Sequence, residues 1–341
     1  MKRQRFRFSQ TTVAYYFDAS LKALPSLCNP DTTFIITDAH VFDAHQKLLK
    51  PFNCIVLHAG EQYKTQQTAD AIIYQLLEMG ANRNSMLVGV GGGVVTDLTG
   101  YVASIFMRGI RFGFFPSSLL AMVDASIGGK NGVDTGVYKN MVGTIRQPEF
   151  IAFDTHLLRS LPEDEWRNGF AEIIKHACIG DVALFRQLSN ASFNRYRKNK
   201  TLLQALIRRN ATFKTRMVQG DEFETGNRKL LNFGHTLGHA IENSYELSHG
   251  QAVAIGMTFA CHFSEKLTGF RQTKQVTELL TRYGLPTYAL FEHEKALAVM
   301  QKDKKMQQAV LHYILLQRIG KAVIQPVALA DVAAALQQFA S

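Results

Sequence analysis

Short, almost wholly apolar runs punctuate the first half of the chain: Thr33–Thr37, Cys54–Leu57, Ser85–Val90, Arg111–Phe115 and Phe150–Phe153. β-Branched and aromatic residues dominate them, as in strands buried within a sheet. Between them, stretches such as 65–79 and 94–106 carry helical spacing. Strand–helix alternation of this kind predicts a parallel α/β sheet. After about residue 160 the texture changes. Leu161-Pro162-Glu163-Asp164-Glu165 puts a proline and three acids where a first helical turn favours them. Helical periodicity then runs to about Met300, with strand-like pattern only at 310–316 and 322–324, and a closing helix over 329–339. The pattern predicts an α/β domain over 1–160 and a mostly helical domain over 161–341.

Composition agrees with this picture. The chain has 341 residues, 46% hydrophobic and 19% charged, which suits about two globular domains and excludes disorder and coiled coil. Leu119–Ile127 is interrupted by Asp124, and no uncharged apolar run reaches the roughly 18 residues of a membrane span, so no membrane partner is expected. The basic start (Lys2, Arg3, Arg5, Arg7) lacks the apolar stretch of a secretory signal. Cys28, Cys54, Cys178 and Cys261 are scattered and form no CxxC, the usage of a cytoplasmic enzyme with free thiols.

The net charge of +10 favours anionic partners. Its densest clusters are 194–200 and 302–305, and the first reads as solvated surface rather than the aromatic-interleaved stripe of a nucleic-acid binder. No nucleic-acid partner is expected.

Three constellations carry candidate chemistry. Gly89-Val-Gly-Gly-Gly93 sits between a strand and a helix, where it is either a phosphate-binding turn or a plain tight turn. Val123-Asp-Ala-Ser-Ile-Gly-Gly-Lys130, followed by Lys139-Asn140, offers backbone donors and ammonium groups to a phosphate. Asp124 lies there in an apolar stretch, where a carboxylate is either functional, a helix cap or half of a buried ion pair. In Asn232-Phe-Gly-His-Thr-Leu-Gly-His239, the i, i+4 spacing puts His235 and His239 on one helical face, which by spacing alone suits joint zinc ligation or simple packing. His249 and Glu172 strengthen the metal reading. Nothing supports serine- or thiol-type nucleophilic catalysis.

With these blocks assembled, the chain resembles the 3-dehydroquinate synthase family of sugar-phosphate cyclases. The resemblance runs from about Phe34 to Ile324. It rests on Gly60-Glu-Gln-Tyr-Lys64, Gly91-Gly-Gly-Val-Val-Thr-Asp97, Met107-Arg-Gly109, the 123–130 block, Lys139-Asn140, Ala171-Glu-Ile-Ile-Lys175, the 231–239 block, His249-Gly250 and Asp303-Lys-Lys305. It implies a Rossmann-like α/β N-terminal nucleotide-binding domain and a mostly α-helical C-terminal metal-binding domain. It also implies bound NAD, one divalent metal (Zn2+ or Co2+), a small anionic sugar-phosphate substrate and a homodimer. The implied reaction turns 3-deoxy-D-arabino-heptulosonate 7-phosphate into 3-dehydroquinate and phosphate, by transient oxidation, elimination, re-reduction and aldol closure.

Carried over residue by residue, the resemblance gives metal ligands at Glu172, His235 and His249. It makes His239 a substrate residue, against the spacing argument. Arg108, Lys130, Asn140 and His239 fall around the phosphate, with Arg108 reaching the neighbouring subunit's site. Asp124, Lys175, Lys214 and Asn232 fall on the ring hydroxyls, and Arg228 with Lys304 or Lys305 on the carboxylate. Asp124, Lys130, Lys175, Lys214 and His239 form the implied catalytic set. The implied NAD positions are Glu61, Lys64, Gly93, Val94, Val95, Thr96, Asp97, Ser117, Ser118, Lys130, Lys139, Leu157, Leu158, Arg159 and Ser160. Departures from the family pattern are Gln251 for a usual Glu, which implies weaker metal binding, together with Ser117-Ser118, Asn131, Thr96 and Ala59.

Overall fold

The apolar runs of the first half become neighbours in one sheet. Its strands are β1 (Lys2–Arg7), β2 (Thr12–Phe17), β3 (Thr33–Asp38), β4 (Asn53–Leu57), β5 (Met86–Gly91), β6 (Arg111–Pro116) and, after the separate hairpin of β7 (Lys130–Thr135) and β8 (Tyr138–Ile145), β9 (Phe150–Ala152). The seven strands lie in the order β1-β2-β9-β6-β5-β3-β4, and every pairing except β1–β2 is parallel. β5 is buried at every position, as a central strand of a parallel sheet must be. Its Val88 and Val90 share a core with Leu24, Ile35, Phe115 and Leu157. This is the computed structural model of the chain, and it describes residues 1–136, 138–242, 245–303 and 310–339.

The chain divides into two compact units: Met1–Trp166 with Lys200–Phe223, and Arg167–Asn199 with Glu224–Ser341. This differs from a single cut at 160, because the long helix Lys200–Gly220 packs on the turn Ala121–Ala125 of the first unit. The second unit centres on the helix His249–Thr268, which is buried almost all round and so lies inside a helical layer rather than on it. An antiparallel pair, β10 (Val310–Arg318) and β11 (Lys321–Ala328), and the helix Leu329–Phe339 complete it. Among the described residues no helix is long and apolar enough to cross a membrane.

Two hairpins escape the periodicity argument. β1 shows one buried residue, Phe6, among cations. It reads as polar because it is a charged edge strand, a device that discourages further pairing. In β7–β8 the glycines suggest turns, yet Gly132 and Gly143 sit opposite each other in the ladder. A Cβ on Gly132 would stand 2.6 Å from the Val142 carbonyl oxygen, and one on Gly143 2.3 Å from that of Asn131. There glycine allows close approach of two strands.

Candidate functional site

In the first unit, β5 and β6 end side by side, and Ser117 N donates to the Gly91 carbonyl at 2.8 Å. Gly91 has no room for a side chain: a Cβ would lie 2.4 Å from Val95. Gly92 caps the helix Gly93–Ile105, whose first residues are Gly93, Val94, Val95, Thr96 and Asp97. A Cβ on Gly92 would meet only the Ser118 side chain, at no less than 3.7 Å. That open volume lies against a helix N-terminus at the carboxyl ends of parallel strands, which fits the pyrophosphate of a dinucleotide. Thr96 Oγ1 donates to Gly93 O, so it serves the first turn. Asn131 donates to Gly129 O and Arg146 O and pins the base of the β7–β8 hairpin.

Lys64 is buried. Its Nζ lies 2.5 Å from Asp97 Oδ2 and donates to Asn140 Oδ1 at 2.5 Å. Burial alone would lower its pKa, but the Asp97 and Glu61 carboxylates outweigh burial and hold it above the usual lysine range. Asn140 is thus joined to Lys64, and its backbone N–H donates to Asp134 at 2.8 Å. Glu61 and Lys130 are exposed and Lys139 is half-buried. Leu157 and Leu158 lie in the core, whereas Arg159 and Ser160 are exposed.

Asp124 sits in a π-turn, marked by the Ser126 N to Ala121 O bond. Lys214 reaches it from the helix Lys200–Gly220: Nζ is 2.8 Å from Asp124 Oδ2 and donates to Asp124 O at 2.8 Å. The carboxylate in the apolar stretch is therefore half of an ion pair. Arg108 follows Met107, and both have left-handed backbone, φ 66° and 49°, a strained arrangement for residues that carry side chains. Exposed Ile105, Met107, Met141, Val142 and Ile145 lie in this part of the first unit, where β8 meets the end of the Gly93–Ile105 helix through Thr144 and Ser104.

The second unit brings together an acid and two imidazoles. Glu172 comes from the helix Glu163–Gly180, His235 opens the helix His235–Glu242, and His249 opens the helix His249–Thr268. One ligand atom of each lies within 4.8 Å of the others. Glu172 Oε1 is 3.5 Å from His235 Nε2 and 3.2 Å from His249 Nε2. Tetrahedral zinc with bonds of about 2.1 Å separates its ligand atoms by roughly 3.4 Å, so these spacings already suit a dication.

Glycines set this geometry. A Cβ on Gly256 would lie 1.9 Å from the Gly234 carbonyl oxygen, and one on Gly238 3.1 Å from that of Ala252. The two histidine-bearing helices therefore pack backbone to backbone. Asn168 Oδ1 accepts from Ser248 Oγ (2.7 Å) and Gly250 N (2.9 Å), which ties down the start of the His249 helix. Sequence reasoning missed Asn168, since nothing local marks it.

The electrostatics of the three side chains differ. His235 Nδ1 faces the Phe233 carbonyl at 3.2 Å, and its Nε2 lies on the Glu172 side of the ring. Burial and the Lys175 ammonium lower the His235 pKa. Burial would raise that of Glu172, but Lys175, paired with Glu172 Oε2, and the two histidines hold it well below the usual range. Burial would lower that of His249, and its bonds to Glu172 and Glu242 instead raise it to about 10. The donor set fits Zn2+ or Co2+.

His239 lies beside His235, ring centroids 5.1 Å apart, but is outside the donor group. Helical spacing brings it to the same face without aiming it at the same point. Arg228 is 2% exposed. Asn232 Nδ2 donates to Glu224 at 2.8 Å. Lys304 and Lys305 lie outside the described residues. Gln251 accepts from Ser248 N at 2.9 Å and closes a capping box. It supports the helix start and leaves His249 Nδ1 to another partner, Glu242, at 3.5 Å.

Comparison with known proteins finds one family across both parts of the chain. The 3-dehydroquinate synthase N-terminal family matches residues 54–168, and the 3-dehydroquinate synthase C-terminal family matches residues 169–306. The 3-dehydroquinate synthase of Halalkalibacterium halodurans is 38% identical over 319 residues, covering 87% of this chain and 86% of that protein. That of Thermococcus kodakarensis is 40% identical, covering 90% and 89%. Among solved structures, the 2-epi-5-epi-valiolone synthase of Streptomyces hygroscopicus, with NAD+ and Zn2+ bound, superposes with TM-score 0.89 at 26% identity over 98% of each chain. A 2-deoxy-scyllo-inosose synthase shares the fold, with TM-score 0.83 at 22% identity, 99% of this chain and 100% of that one. The glycine turn and the acid–imidazole cluster each fall within a matched half, and the chain belongs to the 3-dehydroquinate synthase family.

Proposed function

We propose that this chain is a 3-dehydroquinate synthase, a lyase that converts 3-deoxy-D-arabino-heptulosonate 7-phosphate to 3-dehydroquinate and phosphate. The observation that carries the reading is the convergence of Glu172, His235 and His249 in a chain that matches both halves of that family. NAD and Zn2+ or Co2+ are its cofactors. When bound, NAD takes up and returns a hydride, and the dication polarises the substrate oxygens that it holds.

The rest falls to the chain. Residues 1–160 hold NAD: Gly93–Asp97 present the helix N-terminus, and Lys64, Glu61, Ser117, Ser118, Lys130, Lys139 and the 157–160 segment complete the cradle. Residues 161–341 hold the metal through Glu172, His235 and His249. Arg108, Lys130, Asn140 and His239 bind the phosphate. Asn140 spends its carbonyl oxygen on Lys64 and keeps its amide N–H groups for a phosphate oxygen. Asp124, Lys175, Lys214 and Asn232 orient the ring hydroxyls. Lys214 and Lys175 enter this task already held by Asp124 and Glu172, so little motion is needed to place their N–H groups. Arg228 and Lys304 or Lys305 take the carboxylate.

The enzyme works in the cytoplasm as a homodimer, with Arg108 serving the neighbouring subunit. Support comes from the free cysteines and from the exposed apolar residues Ile105, Met107, Met141, Val142 and Ile145, which suit a protein interface.

A phosphate-release assay tests the reading, with NAD and Zn2+ or Co2+ and three substrates: the heptulosonate phosphate, sedoheptulose 7-phosphate and glucose 6-phosphate. Turnover of the carboxylated sugar alone is expected. Arg228→Ala should raise its KM about 10- to 100-fold, the worth of a charge-assisted contact. Equal turnover of the two neutral-headed sugars overturns the assignment.

A further inference from the structure

We infer that Glu242 is a positioning residue of the metal centre: its carboxylate takes the Nδ1–H of His249 and thereby turns the Nε2 lone pair of that ring toward the metal. The inference deepens the function proposed above and rests on its metal site.

The helix His235–Glu242 begins with one ligand and ends with this carboxylate. His235, His239 and Glu242 stand at i, i+4 and i+7, so a single stripe of one helix carries all three. His249 opens the neighbouring helix, which the close glycine packing at Gly238 and Gly256 draws against that stripe. The two nitrogens of its ring are then divided between two acids. Nε2 lies 3.2 Å from Glu172 Oε1, and Nδ1 lies 3.5 Å from Glu242 Oε2. The second separation is long for a hydrogen bond, and a shift of a few tenths of an ångström closes it. The Glu242 side chain is only 8% exposed, so its charge acts with little screening by water.

A neutral imidazole carries one N–H and one lone pair, and the partner of the N–H decides which nitrogen keeps the lone pair. A carboxylate on Nδ1 fixes the ring, fixes the tautomer and increases the basicity of Nε2. The other ligand ring has a weaker partner for the same purpose, the neutral carbonyl of Phe233. Gln251 serves the helix start instead, its side-chain oxygen accepting from Ser248 N. The carboxylate that supports His249 therefore comes from the neighbouring helix, seven residues before the ligand in the sequence.

The test is zinc affinity and release, measured by competition with a chromophoric chelator on the full-length protein. Wild type, Glu242→Gln, His249→Ala and the double variant are compared. Glu242→Gln keeps the shape and removes the charge. It is expected to weaken zinc binding about 10- to 100-fold, to speed zinc release and to shift the visible absorption of the Co2+ form. In the His249→Ala background the same change should have no effect on zinc affinity, because its route is gone. A Glu242→Gln protein within twofold of wild type, or an equal loss in both backgrounds, overturns the inference. Should Glu242→Gln fail to fold, nitrogen NMR of the zinc-loaded wild type decides: a protonated Nδ1 on His249 supports the inference, and metal on Nδ1 refutes it. Failure of the wild type itself to bind zinc or cobalt would refute the metal site, a result distinct from all of these.

Discussion

The two sets of candidate residues are built on opposite principles. The glycine turn of the first unit works through backbone: Gly91, Gly92 and the first turn of one helix, contiguous in sequence, leave room and N–H donors for an anion. Its buried charges are already neutralised, Lys64 by Asp97 and Lys214 by Asp124. The metal cluster works through side chains from three helices far apart in the chain. There one acid, paired with Lys175, faces two imidazoles, and bonds to Glu172 and Glu242 raise the pKa of His249 to about 10. The first region offers its ligand backbone N–H groups, and the second offers side chains that converge on one point. Removing a ligand should therefore disturb the second unit more than the first.

The sharpest way to break this contrast is His235→Ala. Loss of one of three ligands should weaken zinc binding well beyond the roughly 100-fold that a supporting contact costs and abolish turnover. Chelator competition and the phosphate assay read both. A variant with full activity would show that the cluster is not the metal site.

Next in size is the packing that aims the ligands. Gly256→Ala puts a methyl group 1.9 Å from the Gly234 carbonyl. Backbone cannot yield there as a flexible side chain would, so the cost should be about 3 kcal/mol, visible as a lower melting temperature, with zinc affinity falling alongside. An unchanged melting temperature would mean that the helices are free to separate.

The pH dependence of the metal-free protein gives a smaller effect with a definite sign. His249 titrates near 10 in the folded chain, against an ordinary value of 6.5. The folded chain holds this proton more tightly than the unfolded chain does. The resulting stability is complete below pH 6.5 and disappears as pH rises through about 10. Melting curves of the chelated protein should fall across that window, while zinc-saturated protein stays level, because the metal needs the neutral ring. Zinc affinity should climb over the same range. A flat curve for the chelated protein would place the proton elsewhere.

The smallest effect separates support of a helix from support of a ligand. Gln251→Ala removes one side of the capping box. About 1 kcal/mol of stability should be lost, with zinc affinity within twofold of wild type. A larger loss of affinity would return to Gln251 the role assigned here to Glu242.

Much of this was legible in the chain. Buried strands such as Thr33–Asp38 and Met86–Gly91 betray themselves because burial on both faces demands continuous apolar residues. The closing helix Leu329–Phe339 shows its period without help. β1 was illegible because an edge strand needs charge where a central strand needs none. At the metal site, spacing alone favoured His235 with His239, since an i, i+4 pair is the one proximity that a helix guarantees.

Local periodicity thus determined the α/β and helical halves, the glycine turn at the end of a strand, and the face shared by His235 and His239. Only the tertiary structure decided that Glu172 and His249 meet His235, that Lys64 closes on Asp97 and Asn140, and that Glu242 rather than Gln251 faces the His249 ring. Backbone period constrains neighbours a few residues apart. Where distant helices cross depends on which side chains are absent, and at Gly238, Gly250 and Gly256 the missing Cβ atoms set the distances between the ligands.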